Sequence, residues 1–385
     1  MKMLFAADMS FNYFDAFPGK EQAIQAMAEA AELFRKADYS MVNLENIFGN
    51  KEEAEPILKS GPNLISEDSF GEYVYALKSD IVGMANNHTK DYGEGAMFHT
   101  MQLLTERGYT CIGAGHDLEE AYRPAKISKD GVHIAVIAVC ENEFGVATEN
   151  QSGTAGYRLG MVSAAIRSAL KEGYKPIIYF HGGNEGNPFP SPGKVELYRH
   201  FIDLGAEAVI AMHTHCPQGY EFYLGKPIVY SMGNFFFPTT KQQVKSWFYG
   251  YMSELEFTEN EVHLEIHPYK FDFEKLTVLQ GEEKSEFLKY MQCLCEPIGN
   301  EDKLQQLFDS WCLTQGYAVI LTRYKEELFA DGHAFEVKGL KNLFNCEAHN
   351  ELMKNTFMML FESRMEEARP GVEKIKRLQD MELFE

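Results

Sequence analysis

Along this chain of 385 residues, side chains able to bind a cation or move a proton gather at the ends of expected strands. The apolar run 2–7 leads to Asp8, and the run 39–44 leads into Asn43-Leu44-Glu45-Asn46. The run 81–85 leads to Asn86-Asn87-His88, with Asp91 three residues on. Residues 176–180 precede His181 and Glu185, residues 208–212 precede His213-Thr214-His215, and residues 227–231 precede Gly233-Asn234. The carboxyl ends of strands are where α/β sheets expose their ligand sites. A lone histidine at such a place is ordinarily hydrogen-bonded structure. Four of the chain's 12 histidines on one edge, with carboxylates and asparagines, point instead to a metal centre.

Mixed His, Asp, Glu and Asn ligation suits Mn²⁺, Zn²⁺ or Fe rather than a soft thiolate site. Two such ions about 3.5–4 Å apart share a water, lower its pKa and clamp an in-line displacement at phosphorus. A carboxylate has two oxygens to bridge them, and Glu45 is the best placed. A neutral histidine beside the ions takes up a proton and delivers it to the leaving oxygen. Asp91 has the reach to hold the His88 ring and raise its basicity; the alternative is a turn-forming acid before Tyr92-Gly93. His213 and His215, two apart, point one way on a regular strand, or ligate from a loop. The other eight histidines, His99, His263 and His267 among them, are read as structural.

These residues need a frame. Short apolar runs, including 111–113 and 132–139, alternate with helical patterns through the first 240 residues. The pattern 21–36 sets Ile24, Met27, Ala31 and Phe34 on one face; 94–107, 162–172 and 193–204 follow. Strands alternating with helices predict a layered α/β fold. Residues 249–257 and 262–268 alternate apolar and polar around 258–261, which predicts a hairpin closing the domain. From about 281 to 378 the period is helical. A boundary near 275 divides residues 1–275 from a mainly helical 276–385. The stretch Phe357-Met358-Met359-Leu360-Phe361 is read as core, with a homodimer face as the alternative.

Composition narrows the partners. Apolar residues at 45% and charged residues at 24% are ordinary globular usage. Lys plus Arg total 36 against 57 Asp plus Glu, a net charge of −21. That field repels phosphate backbones and anionic lipid, which argues against nucleic-acid and membrane partners. A bound cation reverses the sign inside one cleft. No run reaches the roughly 18–20 apolar residues of a membrane helix, and the first residues read as a strand rather than a signal peptide. Seven cysteines without repeated spacing read as reduced thiols of a cytosolic protein, Cys293 and Cys295 as packing. Gly113-Ala114-Gly115 lacks the continuation of a phosphate-binding loop, and Ser231 lacks a nucleophile elbow.

Ala85-Asn86-Asn87-His88-Thr89-x-Asp91-Tyr92-Gly93 resembles the A-N-N-H-x-x-D-Y-G signature of the bacterial capsule-synthesis CapA, or poly-γ-glutamate biosynthesis, family. That family is a branch of the calcineurin-like metallophosphoesterases. Asn43-Leu44-Glu45, Arg123-Pro124, His181-x-Gly183-x-Glu185, Gly205-Ala206-Glu207, His213-x-His215 and Tyr230-Ser231-Met232-Gly233-Asn234-Phe235 follow in the family's order, over about residues 3–240. The resemblance implies a four-layer αββα sandwich with metals at its edge. It implies Asp8, Asn87, His181, His213 and His215 as ligands, Glu45 as bridge, His88 as proton donor, and Glu185 as the glutamate of H-W-G-x-E-Y.

Three departures carry expectations. Asp-x-His reads Asp8-Met9-Ser10, which removes a ligand and predicts one tight and one weak ion. Both aromatics of H-W-G-x-E-Y are glycine, Gly182 and Gly186, which predicts a wider substrate mouth. The membrane anchor of capsule-synthesis members is missing, which favours a soluble hydrolase over polymer export. The expectation is a cytoplasmic phosphoesterase using one or two divalent ions on a phosphorylated small molecule or polymer. Its rivals are amide-bond chemistry on poly-γ-glutamate and a non-catalytic subunit with a structural metal site.

Overall fold

The computed structural model describes residues 1–258, 261–315 and 334–382. Positions 259–260 of the expected turn, and 316–333 of the expected helical region, lie outside the described residues. The near-continuous apolar runs of the first half become strands covered on both faces, as parallel strands require. Lys2–Met9, buried from its second residue onward, lies at the middle of the larger sheet. On one side it pairs in parallel with Tyr39–Leu44, then Ile81–Gly83 and Thr110–Ile112. On the other it pairs antiparallel with Tyr249–Phe257, whose hairpin partner Val262–Phe271 and the short Leu276–Val278 extend the sheet. The hairpin therefore continues the central sheet instead of merely closing it. Asn234–Phe236 adds in parallel beside the end of the first strand, with Asn234 opposite Asp8.

The second sheet runs Tyr220–Tyr223, Lys226–Val229, Ala208–Met212, Lys175–His181, Val132–Cys140, Ala125–Lys129. The two sheets face each other. Phe5 and Tyr179 stack with ring centroids 6.0 Å apart, and the Tyr179 hydroxyl donates to the Ala6 carbonyl at 2.6 Å. Leu159–Lys171 and Pro192–Asp203 cover the outer face of the second sheet, and Lys20–Lys36 lies outside the first. This is the four-layer αββα sandwich.

One helical face differs from expectation. Lys20–Lys36 buries Ala23, Ala26, Met27, Ala30, Ala31 and Phe34, while Ile24 is 47% exposed. Small side chains at three- and four-residue spacing let the helix lie close to its neighbours, and that seam excludes Ile24.

The C-terminal helices divide between two cores. Gly281–Cys295 sends Phe287, Tyr290, Met291 and Leu294 into the main core. Glu301–Gln315 packs with Glu347–Phe361 and Met365–Gln379 around Trp311, Cys312, Leu352, Met359 and Ile375. Within the apolar stretch 357–361 only Met359 is buried; its four neighbours are exposed, Phe361 by 85%. The core reading of that stretch is corrected: one residue per turn faces inward, and the others lie on the solvent side of a helix with a single packed face.

Candidate active site

The loops beyond the strand ends converge where the register of the central strands brings them level. Asp8 pairs with Asn43 on one side and Asn234 on the other, and His181 pairs with Met212, the residue before His213. Asn86 and Thr89 brace the loop that carries Asn87 and His88. Asn86 Nδ2 donates to the Leu44 carbonyl at 2.9 Å, its Oδ1 accepts from the His88 amide at 3.1 Å, and Thr89 Oγ1 donates to the Met84 carbonyl at 2.7 Å. Gly113 passes behind this loop with φ +90°, where a Cβ would stand 2.6 Å from the Ala85 amide nitrogen. Only glycine fits both the left-handed backbone and that approach.

Glu45 is the centre of the cluster. It is fully buried, and neither carboxylate oxygen has a hydrogen-bond partner. The Nε2 atoms of His88, His181 and His215 stand 3.6, 3.9 and 3.9 Å from its Oε1. Burial first, then Asp8 and Glu185, push its carboxyl well above the ordinary range. Two groups of donor atoms share it: Glu45, His181 and His213, and Asp8, Glu45 and His215, each within 4.8 Å of one another. An ionised carboxylate buried without a partner costs several kcal/mol, on the order of its desolvation penalty. A cation among the imidazoles removes that cost, so these residues fit a divalent ion.

Around this centre, Asp8 Oδ1 accepts from Asn43 Nδ2 at 2.7 Å, and its Oδ2 from the His213 amide at 3.0 Å. Asn87 Oδ1 and His213 Nδ1 lie 3.1 and 2.9 Å from His181 Nε2. His213 and His215 sit beyond the strand end at φ +100° and +55°, so they come from a loop rather than a regular strand. Such conformations cost about 1–3 kcal/mol each in non-glycine residues and cluster at functional sites. His215 Nδ1 is held by Asn234 Oδ1 at 2.8 Å, and its ring lies 4.8 Å from that of Trp247.

Beside the cluster stands a second arrangement. His88 Nδ1 lies 2.6 Å from Asp91 Oδ2, which also accepts the Leu64 amide at 2.7 Å. Lys59 forms a fully buried ion pair with Asp91, and its Nζ stands 3.0 Å from His88 Nδ1. Burial, then the Lys59 ammonium, hold the His88 imidazole down to about 4 against the pull of Asp91. The ring is therefore neutral at pH 7, with Nε2 turned towards Glu45. The Asp91 carboxylate bonds the ring, Lys59 and the Leu64 amide rather than the turn at Tyr92-Gly93.

Of the expected residues, only Glu185 stands apart: its side chain is 60% exposed at the rim, with Oε1 4.0 Å from His213 Nε2. The other eight lie together. Ser10, at the place of the missing ligand, is buried with its hydroxyl on Asn46 Oδ1 at 3.4 Å. Cys216, whose thiol burial pushes up to about 12, bonds the Asn187 carbonyl and does not join the cluster. The wider mouth is corrected. A Cβ on Gly182 would meet Glu141 Cγ at 2.5 Å, and one on Gly186 would reach Trp311 Cη2 at 3.6 Å. Glu141 fills the space beside Gly182, and Trp311 and Gln379 of the C-terminal helices fill that beside Gly186.

Those helices also border the cavity at the site, about 350 Å³, lined by Lys59, His88, Glu143, Glu185, Trp311 and His349 among others. Sequence reasoning missed Lys59, Glu143, Trp311 and His349. Lys59 lies in an aperiodic loop before Ser60-Gly61-Pro62 and carried no signal. Glu143 was legible: it follows the end of Val132–Cys140, where the strand-end rule applies. His349, read as structural, lines the cavity from Glu347–Phe361.

Several known proteins resemble this chain. It is 28% identical over 211 residues to the PGA biosynthesis protein CapA of Bacillus subtilis, covering 53% of this chain and 54% of that protein. It is 27% identical over 163 residues to the capsule biosynthesis protein CapA of Bacillus anthracis, covering 41% and 40%. The matched regions thus span about half or less of those relatives' own length. Among solved structures, TT1561 of Thermus thermophilus aligns over 69% of this chain and 97% of its own at 11% identity, with a TM-score of 0.34. Residues 10–239 match the family described as bacterial capsule synthesis protein PGA_cap, and the chain belongs to that family.

Proposed function

We propose that the chain is a divalent-metal-dependent hydrolase of phosphate esters. The observation that carries this reading is the buried, unpartnered Glu45 carboxylate facing three imidazole nitrogens. Asp8, Glu45, Asn87, His181, His213 and His215 would hold one or two ions, Mn²⁺, Zn²⁺ or Fe. Bound ions there supply Lewis acidity at a phosphoryl oxygen and acidify a coordinated water. His88 accepts a proton at Nε2 and returns it to the leaving oxygen, while Asp91 and Lys59 fix its ring. Glu185 stands at the cavity rim, within reach of a bound substrate. No described helix is long and apolar enough to cross a membrane.

The test is turnover of bis-p-nitrophenyl phosphate and p-nitrophenyl phosphate by protein reconstituted with Mn²⁺. Metal-dependent release of nitrophenol supports the reading; full metal occupancy without turnover of either ester sinks it. A second reading rests on the relatives' names, which tie them to PGA and capsule biosynthesis: the site would then act on the polymer or its assembly. A change in poly-γ-glutamate chain length on incubation with the reconstituted protein favours it. The buried, unpartnered Glu45 carboxylate facing three imidazoles fits ion-assisted displacement at phosphorus, which is why the phosphate ester is preferred.

Lys59 supplies a pH test. Its ammonium lowers His88, and a His88 that must be neutral sets the acid limb of kcat/KM. Lys59→Met is expected to move that limb upward from about 4 towards the ordinary histidine value near 6.5. An acid limb unmoved by Lys59→Met would separate it from His88.

A further inference from the structure

A second cluster of metal-ligating groups joins the sandwich to the C-terminal helices. Cys346 Sγ stands 3.5 Å from Glu143 Oε1 and 3.3 Å from Glu141 Oε2. His349 Nε2 stands 3.7 Å from the same Glu143 oxygen. The donor atoms of Glu143, Cys346 and His349 all lie within 4.8 Å of one another. We propose that Glu143, Cys346 and His349 form a three-ligand zinc site, its fourth position open to water, that pins the helix Glu347–Phe361 onto the loop after Val132–Cys140.

The separations carry the argument. Around a tetrahedral zinc, with Zn–S about 2.3 Å and Zn–N or Zn–O about 2.0–2.1 Å, neighbouring donors stand roughly 3.3–3.5 Å apart. The sulfur–oxygen distance to Glu143 has that length, and the nitrogen–oxygen distance exceeds it by a few tenths of an ångström. Cys346 and His349, three residues apart at the start of the helix, face one side of its first turn. Glu141, held by the buried Lys194 ion pair, accepts the Cys346 thiol at Oε2 beside the cluster. Two carboxylates and a thiol this close repel once ionised, and a divalent cation converts that conflict into attraction. Zinc suits a Cys/His/carboxylate set. Binding displaces the Cys346 thiol proton to solvent, and the thiolate donates to the ion.

This site is distinct from the Glu45 centre, which includes no cysteine. The two are adjacent, since Glu143 Oε1 lies 4.0 Å from His213 Nε2. A zinc there fixes the helical wall of the cavity, including His349, over the candidate active site. Glu351, one turn along the same helix, already bonds Ser191 Oγ at 2.6 Å and the Gly193 amide at 2.8 Å, so the helix meets the sandwich at two successive turns. The proposal stands whether or not the chain hydrolyses phosphate esters.

The experiment is Co²⁺ and Zn²⁺ titration of the full chain after chelation. Thiolate ligation gives a near-ultraviolet sulfur-to-cobalt charge-transfer band that histidine and carboxylate ligands do not give. The wild-type protein is expected to show that band, and His215→Ala to keep it. Cys346→Ser is expected to lose the band and bind one equivalent of zinc fewer. Absence of the band in wild-type protein, or its persistence in Cys346→Ser, overturns the proposal. Should Cys346→Ser fail to fold, His349→Gln takes its place: cobalt affinity at the thiolate site should fall at least ~10-fold, and an unchanged affinity is equally fatal.

Discussion

Glu45→Gln is expected to stabilise the metal-free protein and to abolish the stabilisation that Mn²⁺ or Zn²⁺ confers on the wild type. In the metal-free chain both carboxylate oxygens are buried without a hydrogen bond, among Asp8, Glu143 and Glu185. Glutamine has the same shape and no charge. The substitution should therefore gain on the order of 1–3 kcal/mol in the metal-free state. The gain has a pH sign. The Glu45 carboxyl is raised in the folded state, so the native protein holds a proton that the unfolded chain has lost. Wild-type stability then falls as pH rises above the unfolded value of about 4.3, and the gap to Glu45→Gln widens towards neutral pH. Metal reverses the order, because saturation at about 100 times Kd adds about 2.7 kcal/mol to the wild type alone. Calorimetric melts with chelator and with Mn²⁺ read both halves. Equal metal stabilisation of the two proteins would remove Glu45 from the metal site.

The same burial explains what was legible in the residues and what was not. Strands such as Ala208–Met212 are continuous apolar runs because both of their faces are covered. Their ends could then be read for chemistry, and eight of the nine expected site residues meet there. Lys59 escaped because a buried lysine in a loop has no periodicity. Its place is set by contacts with Asn87, His88 and Asp91, 28 to 32 residues away along the chain. Ile24 misled because an amphipathic pattern specifies a face only to within a residue when alanines compete for the close approach. The C-terminal helices showed their period but not their docking partner. Their polar contacts to the sandwich, such as Gln379 Nε2 to the Gly186 carbonyl at 2.8 Å, span nearly 200 residues and leave no local trace. That distance is why Gly182 and Gly186 suggested an open mouth, when a tryptophan from another part of the chain stands against Gly186.

His88→Asn is expected to lower kcat by about 10²–10⁴ while leaving metal content unchanged. The ring is held through Nδ1 by Asp91, and Asp91 in turn by the Leu64 amide and Lys59. Nδ1 is engaged by Asp91 and Lys59, which leaves Nε2 facing the Glu45 centre. Because burial and Lys59 keep the imidazole low, at about 4, the protonated ring is a strong acid and surrenders its proton readily to a departing oxygen. Asparagine is too short to do so and carries no titratable group. The loss should therefore depend on the leaving group. Nitrophenol departs as an anion without help, whereas an alkyl alcohol needs the proton, so alkyl phosphates should suffer the larger fall. A structural histidine would depress both substrates alike through a lowered melting temperature, and a metal ligand would lose ions together with turnover. Equal defects on good and poor leaving groups, with metal retained, would take the proton-transfer role away from His88. The Asp91 and Lys59 contacts would then describe only the packing of the loop.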